Sequence, residues 1–322
     1  MSAAGPPQGA RPPGGERRDA PIGGDHPDSG DALTRFVFEH AAVRGAAITL
    51  DDTVRAVLAC HPYPPALQRV LAELLAASAL LASTLKFTGS LIVQLQGDGP
   101  VRLLVVECTD ALEMRATAQW DAERTEALGA RASLADLAGG PAHGRLVLTL
   151  DPRGAGTIYQ GIVALESGSV AGLIEHYLAT SEQLASRMLL ATGGGAAAGL
   201  IVQRMPAPDD ANESTWERAC AALATIDPAA LLVREPATTM LPRVFAQDDL
   251  RVFAARAAKF ACSCSRARVE NALRIAGAAE IESILAERGD VEVTCEFCNR
   301  RYTFAPDDAR AVFAPRPAST RH

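Results

Sequence analysis

Two closely spaced cysteine pairs near the end of the chain constrain its fold more than any other feature. They are Cys262-Ser-Cys264 and Cys295-Glu-Phe-Cys298, and thirty residues separate them. A Cys-x-x-Cys turn supplies two metal ligands easily, and residues i and i+2 of an extended segment face the same side. The segment Ala258–Cys262 has the composition of an extended strand. All four thiolates can therefore reach one ion.

We predict one zinc ion per chain, bound by Cys262, Cys264, Cys295 and Cys298. Four thiolates complete a tetrahedral zinc site and leave no position for a water molecule, so a hydrolytic centre is not expected. Because the thiolate is the form that oxidants attack, the site is also a candidate redox centre. The alternative is two structural disulfides or four unrelated thiols. In a cytosolic chain, clustered cysteines more often bind metal.

The overall charge and hydropathy argue against nucleic-acid-binding and membrane-spanning proteins, although a local basic patch remains compatible with the sequence. The 322 residues carry a net charge of -7, whereas a general nucleic-acid binder needs a basic surface. No stretch of about 18 uncharged apolar residues indicates a membrane span. Residues 1–32 are rich in Pro, Gly and charge and lack an apolar signal core, which predicts a disordered tail. We expect a cytoplasmic protein that contacts neither nucleic acid nor membrane.

Residues 33–206 are predicted to form a large, mostly antiparallel α/β domain, so the fold class is α+β. Asp98-Gly99 between two β-rich runs indicates a hairpin. Pro65 can open a helix that runs to about Phe87, and Asp51 and Asp52 can cap a short helix before it. Further strands are expected at 34–39, 113–119, 145–150 and 157–164, a helix at 169–180, and a strand pair at 186–191 and 199–204.

A helical, metastable linker is predicted at 207–255, after the proline-rich change of composition at Met205. Its first helix places Trp216, Cys220 and Leu223 on one stripe, at spacings i, i+4 and i+7. Large apolar residues are scarce there, so we expect it to pack against the preceding domain. The small C-terminal zinc-binding, redox-switch domain then occupies 256–314. Its elements are expected at 266–275, 279–287, 291–294 and 300–304, and 315–322 is a tail.

The other chemically active residues are predicted to be structural. Cys60, Cys108 and Cys220 are isolated in apolar contexts, where buried, inert thiols are typical. His61, His143 and His176 have no ligand spacing. The glycines that follow Thr192 form a hairpin loop rather than a phosphate loop, because no Lys-Ser/Thr follows them. No catalytic constellation stands out, so the chain is not expected to be an enzyme.

Several motifs, with the cysteine pattern as the most specific, resemble those of one bacterial family. The further motifs are Leu95-Gln-Gly-Asp-Gly-Pro, Tyr159-Gln-Gly, Tyr177 with Ser181-Glu-Gln-Leu, and Ser283-Ile-Leu-Ala-Glu. From about residue 33 to 305 the chain resembles the redox-regulated heat-shock chaperones of the heat-shock protein 33 (33 kDa chaperonin) family. The long tail before residue 32 departs from the compact start of that family.

This resemblance implies a holdase that works without ATP. Reduced members of the family bind zinc and are inactive. Oxidation pairs the two cysteines of each motif, which here are Cys262 with Cys264 and Cys295 with Cys298. Zinc is then lost and the linker unfolds. The apolar surface that is exposed in this way binds unfolding client proteins during oxidative and heat stress. The active chaperone is usually a homodimer.

Two other functions fit parts of the sequence. A thiol-disulfide oxidoreductase could use the Cys295–Cys298 pair, although no thioredoxin-like βαβ context surrounds it. A zinc ribbon that binds nucleic acid could use Arg300 and Arg301 beside the last cysteine, but the net charge disfavours it. Together with Arg266 and Arg268, these arginines are expected to add positive charge near the zinc site.

Overall fold

The computed structural model describes residues 30–314, except 153, 155, 167, 208–210 and 234. Most of the predicted N-terminal tail and the whole tail 315–322 therefore lie outside the described residues. The first strand begins slightly earlier than predicted, at Ala32. Asp31 was assigned to the tail, yet it is only 1% exposed, so it is part of the folded domain.

Two six-stranded sheets form the large domain, here called sheet A and sheet B. Across sheet A the order is β10 (Leu250–Val252), β1 (Ala32–Phe38), β2 (Val43–Leu50), β9 (Ala196–Arg204) and β8 (Ser186–Gly193), and β11 (Arg256–Ala257) also pairs with β1. Across sheet B it is β12 (Lys259–Phe260), β5 (Glu113–Trp120), β4 (Val101–Thr109), β3 (Gly89–Gly97), β6 (Gly144–Pro152) and β7 (Tyr159–Ala164). Every neighbouring pair is antiparallel except β12 with β5.

Helices fill the space between and around the sheets. They are α1 (Asp52–Leu58), α2 (Pro65–Thr84), α3 (Ala122–Ala127), α4 (Leu134–Ala138), α5 (Val170–Thr180), α6 (Ala211–Ala224), α7 (Ala237–Val244), α8 (Arg266–Ala276), α9 (Ala278–Arg288) and α10 (Pro306–Ala311), with a 3-10 turn at Pro228–Leu232. The predicted α+β class and the mostly antiparallel arrangement are confirmed.

Helix α2 is the centre of the large core. It packs against strands of both sheets, and every residue from Leu74 to Ala82 is buried. Among the described residues, α2 is the one helix long and apolar enough to cross a membrane, but 78% of that window is buried inside the fold. Its hydropathy therefore reflects a core helix that contacts apolar side chains on two sides.

Two local predictions in this domain are wrong, and one strand has no counterpart among the predicted elements. Helix α2 ends at Thr84 rather than near Phe87. Strand β2 is the element without a prediction, because its buried side chains do not alternate with exposed ones. Helix α1 is not capped by the side chain of Asp51 or Asp52.

The cap of α1 comes instead from Asp31, twenty residues earlier. Its carboxylate accepts hydrogen bonds from the backbone N–H groups of Asp51, Asp52 and Thr53, at 2.5, 3.1 and 2.6 Å. These are N–H groups that a helix start leaves without partners. A residue distant in sequence therefore provides the cap, which a local pattern cannot indicate.

The linker helices pack on the face of sheet A that points away from α2. Leu223 of α6 and Leu241 and Phe245 of the following segment are buried with Phe36 and Phe38 of β1. The Phe245 ring lies 5.5 Å from the Phe36 ring and 5.2 Å from the Phe38 ring. The linker thus takes its apolar contacts from the large domain, as the scarcity of large apolar residues predicts.

The stripe of α6 that faces the sheet differs from the predicted one in its middle residue. Trp216 and Leu223 contact the apolar cluster, but Ala219 is fully buried between them and Cys220 is only half-buried. The spacing i, i+3, i+7 is also a helical face. The small side chain of Ala219 lets the helix approach the strands closely, which the pattern of large apolar residues does not reveal.

The C-terminal module has a small core of its own. Helices α8, α9 and α10 cover the two-stranded sheet of β13 (Val291–Thr294) and β14 (Arg301–Phe304). Its buried apolar residues are Val269, Leu273, Ile281, Leu285, Val291, Phe304, Ala309 and Val312. Residues 256–260, which were assigned to this module, instead form β11 and β12 on the two large sheets.

A close backbone contact explains one glycine of the Gly97-Asp-Gly-Pro hairpin. The Gly99 N–H donates to the Ala138 carbonyl at 2.9 Å, which fixes the end of α4 against the hairpin. A Cβ on Gly99 would lie 2.1 Å from the Gly139 nitrogen. A side chain at this position would therefore push two backbone segments apart.

We expect Gly99→Ala to lower the free energy of unfolding by ~1–3 kcal/mol, because backbone atoms cannot move aside as side chains can. Urea denaturation of the full chain measures the change. Gly168→Ala is the matched control, since nothing lies within 4 Å of a Cβ there; its effect should stay within about 0.5 kcal/mol. Equal effects of the two substitutions would contradict the close-contact explanation.

Candidate metal centre

The four predicted ligands converge in space. Their sulfur atoms all lie within 4.8 Å of one another, with 3.7 Å between Cys262 and Cys295 and 3.4 Å between Cys264 and Cys298. A tetrahedral zinc site with ~2.3 Å bonds requires sulfur–sulfur distances of ~3.8 Å. All four side chains are half-buried free thiols. The cluster therefore has the donor atoms and spacing that a thiophilic divalent cation needs.

The first pair lies between a strand and a helix. The N–H of Ala261 donates to the Met114 carbonyl at 2.9 Å, so the chain is still paired with sheet B one residue before Cys262. Directly after Cys264, the Ser265 side chain caps α8 by accepting from the Arg268 N–H. A helix N-terminus carries partial positive charge, which favours the thiolate form nearby.

The second pair lies in the turn of the β13–β14 hairpin. The Cys295 N–H donates to the Arg300 carbonyl at 2.9 Å, and the Asn299 N–H donates to the Cys295 carbonyl at 2.8 Å. Asn299 has a φ of 57°, a left-handed conformation that asparagine tolerates better than most residues. This tight turn, residues 295–298 and here called the knuckle, holds Cys295 and Cys298 on one side.

Polar groups surround the sulfurs. The Tyr302 hydroxyl donates to the Cys264 sulfur at 3.1 Å, and Arg115 of β5 places a guanidinium nitrogen 3.9 Å from the Cys262 sulfur. Without a cation, burial raises the pKa of the Cys298 thiol, although the Arg300 N–H acts in the opposite direction. A bound cation deprotonates coordinating thiols and overcomes such a burial penalty.

The arginines predicted to lie near the site have mostly structural partners. Arg266 stacks 4.1 Å from the Phe304 ring centre and pairs with Asp308. Arg268 donates to the Ser263 hydroxyl, while Arg301 pairs with Glu292 at 3.1 Å. Arg300 does lie near the site as predicted, since it interacts with the Tyr302 side chain and with the charges of Cys264 and Cys298. Arg115, which is 147 positions from Cys262 in sequence, also approaches the cluster and gave no signal in the cysteine motif.

The knuckle also contacts the large domain through residues that the sequence did not single out. His61 Nε2 and the Thr117 hydroxyl each lie 2.7 Å from the carbonyl oxygen of Glu296, between the two cysteines. His61 was predicted to be an ordinary surface or core histidine. His143 and His176, which the sequence also predicted to be ordinary surface or core histidines, are both exposed and lie outside the cysteine cluster.

The three isolated cysteines differ from one another in position. Cys108 is buried in the main core, and burial raises its pKa to about 12. Burial also raises the pKa of Cys220. Cys60 is half-buried rather than buried, and its thiol donates to the Ala56 carbonyl at 3.2 Å. Burial, followed by the charges of Cys262 and Cys295, raises its pKa to about 11. All three thiols are therefore protonated near neutral pH, the unreactive form.

Comparison with known proteins decides the family. A sequence model described as Hsp33 protein matches residues 31–305. The 33 kDa chaperonin of Methylobacillus flagellatus is 44% identical over 285 residues, which cover 88% of this chain and 94% of that protein. The chain belongs to the Hsp33 family. The 33 kDa chaperonin of Shewanella sp. strain MR-4 agrees, with 43% identity over 90% of this chain and 98% of that protein.

A solved structure supports the fold of this Hsp33 protein. The crystal structure of the 33 kDa chaperonin from Thermotoga maritima has a TM-score of 0.70 and covers 88% of this chain and 97% of that one, at 22% identity. The predicted family is thus confirmed, and membership supports a chaperone function. The C-terminal four-cysteine cluster is compatible with a zinc-binding module in a protein of this family.

We expect Tyr302→Phe to lower the affinity for Zn²⁺ or Cd²⁺ by about 10-fold, because the Cys264 sulfur loses a hydrogen-bond donor. Competition with a chromogenic chelator measures this affinity. Tyr159→Phe is the control, since Tyr159 is 44% exposed in β7, on the large domain. Unchanged affinity in Tyr302→Phe would show that the hydroxyl does not support the ligand.

Proposed function

We propose that this Hsp33 protein is a redox-regulated holdase that works without ATP. The observation that carries the proposal is the convergence of four free thiols in a module whose own core contains few large side chains. Such a module depends on its metal centre for stability. The centre can therefore report the redox state of the surroundings through folding.

In the reduced state, one zinc ion per chain would be held by Cys262, Cys264, Cys295 and Cys298. The sulfur spacing supports this ligand set. Zinc binding to four-ligand structural sites contributes ~10–16 kcal/mol. That is comparable to the whole stability of a small domain, ~5–15 kcal/mol, so the reduced module stays folded.

Oxidation would join Cys262 to Cys264 and Cys295 to Cys298. Each disulfide forms when two thiolates give two electrons to the oxidant, and each removes two ligands from the centre. The close sulfur contacts of the reduced form run between the motifs, from Cys262 to Cys295 and from Cys264 to Cys298. Pairing within each motif therefore removes the links that hold the two motifs together.

The linker would carry the signal to the client-binding surface. It contributes Trp216, Leu223 and Ile226 to an apolar cluster with Phe36 and Phe38 on sheet A. Release of the linker exposes both sides of this cluster. Unfolding proteins of any sequence expose similar apolar surface, which fits a chaperone that binds clients broadly.

We further propose a homodimer in the oxidised state and a cytoplasmic location, without nucleic-acid or membrane partners.

The structure favours this function over the two alternatives. The Cys295–Cys298 pair lies in a hairpin turn between two strands of a two-stranded sheet, rather than at the start of a helix in a βαβ unit as in thioredoxin-like oxidoreductases. Arg301 forms an ion pair with Glu292, which reduces the positive charge available to a nucleic-acid phosphate. We propose that the protein acts without enzymatic turnover.

Freshly reduced protein is expected to contain one zinc ion per chain with four sulfur ligands at ~2.3 Å. Elemental analysis and X-ray absorption measure stoichiometry and ligands, and a thiol count before and after peroxide follows the oxidation. Replacement of Cys60, Cys108 and Cys220 by Ser should leave the zinc content unchanged. Nitrogen or oxygen ligands, or little zinc in the reduced protein, would contradict the proposed site.

The oxidised protein is expected to suppress aggregation of a heat-unfolding client without ATP, whereas the reduced protein should barely do so. The physical reason is that loss of the centre unfolds the module and releases the linker. Light scattering of the client compares reduced protein, oxidised protein and the Cys295→Ser/Cys298→Ser variant.

The double variant cannot form a complete metal centre, so it should protect the client even without oxidant. Removal of the oxidant and addition of a reductant should restore the thiols of the wild type and its metal binding. If reduced and oxidised wild type protect equally, the centre is purely structural and the redox switch is absent.

A further inference from the structure

The tip of the knuckle is held by the large domain at one atom. The Glu296 carbonyl oxygen accepts from the Thr117 hydroxyl, at 2.7 Å, and from His61 Nε2, also at 2.7 Å. A carbonyl oxygen is only an acceptor, so this contact requires a proton on His61 Nε2. Both donors lie on one side of the turn, and both belong to the folded domain rather than to the zinc module.

Arg115 adds a contact to the next residue of the knuckle. Its guanidinium lies 4.0 Å from the centre of the Phe297 ring, within the range of a cation–π interaction. Glu107, directly across from Arg115 on β4, accepts from Arg115 Nε at 2.8 Å. The two side chains are only 15% and 18% exposed, so the guanidinium is fixed and partly desolvated.

The same guanidinium approaches the metal centre. One nitrogen of Arg115 lies 3.9 Å from the Cys262 sulfur, so Arg115 contacts both cysteine motifs at once. Four thiolates around a divalent cation carry a net charge of about -2, which a nearby guanidinium stabilises. Two disulfides carry no charge, so the attraction between Arg115 and the centre is lost on oxidation.

We propose that His61, Thr117 and Arg115 form a clasp that positions the knuckle and slows the opening of the four-thiolate centre. The clasp holds Glu296 and Phe297, the two residues that lie between the cysteines of the second motif. This inference rests on the proposed redox function. Under this proposal, side chains of the large domain help to determine how fast the four-thiolate centre opens.

The attachment at β12 does not provide this control. Lys259 and Phe260 pair with β5, and Lys259 lies 3.4 Å from Glu113, but these contacts precede the first cysteine motif. They anchor the entry into the module. The clasp is the contact at the second motif, where the chain reverses direction, so it restrains the part of the centre that is far from the anchor in sequence.

The test uses reduced, metal-loaded full chain and two readouts that need no chaperone assay. These are the rate of zinc transfer to a chromogenic chelator and the hydrogen exchange of residues 291–300. Arg115→Gln should raise the transfer rate about 5-fold, as expected for loss of a partly desolvated cation–π contact and a charge. The zinc-transfer rate of Arg115→Lys should lie between those of wild type and Arg115→Gln, since lysine keeps the charge but lacks the planar guanidinium group.

The Thr117 variants separate the clasp from a general loss of packing. Thr117→Val keeps the shape and removes the hydroxyl, so exchange at residues 291–300 should rise, whereas Thr117→Ser should restore the wild-type value. Arg310→Gln is the matched control, because it breaks an ion pair with Glu282 inside the module without touching the large domain. Both readouts should stay within twofold of wild type in this control.

Wild-type values in both Arg115→Gln and Thr117→Val would overturn the clasp, as would an equal acceleration in Arg310→Gln. If Arg115→Gln fails to fold, the Thr117→Val and Thr117→Ser pair decides the question. Failure of the proposed function would be seen in the wild-type protein instead. The reduced wild type would then lack metal, or it would protect clients equally well before and after oxidation. In that case hydrogen exchange of the same variants without metal still tests the clasp.

Discussion

The arrangement of the C-terminal module depends on four sulfur atoms that lie within 4.8 Å of one another. Thiolates at this distance repel strongly unless a cation lies between them. Three surrounding groups favour negative charge on the sulfurs: the helix start after Cys264, the Tyr302 hydroxyl and the Arg115 guanidinium. The module is thus organised around a charge that its small apolar core could not accommodate alone.

Only short segments connect the strands between the large domain and the cysteine cluster. The linker leaves sheet A after β9, packs back on the same sheet and returns to it as β10 and β11. Only Ala258 separates β11 from β12, which joins sheet B, and only Ala261 separates β12 from Cys262. The linker and the cysteine cluster are therefore connected through short strands of both sheets.

The sequence predicts those features that depend on neighbouring residues. Helical spacing indicated α2 and α6, the Asp-Gly turn indicated the β3–β4 hairpin, and the two cysteine motifs indicated the four cysteines that the fold brings together. Features that depend on distant partners were missed. Asp31 caps α1 from twenty positions away, and His61 lies 235 positions from Glu296. A single chain carries no pattern for such pairs, because either residue alone is unremarkable.

Strand β12 has a consequence for the edge of sheet B. It contributes only two residues, and it is the parallel strand in a sheet otherwise antiparallel. The Leu112 and Met114 carbonyls accept from Lys259 and Ala261, directly before the first cysteine motif. If the module detached on unfolding, as proposed above, it would withdraw these donors and leave β5 as an unpaired outer strand. An open strand edge can pair with any extended peptide through its backbone, independently of the peptide's sequence.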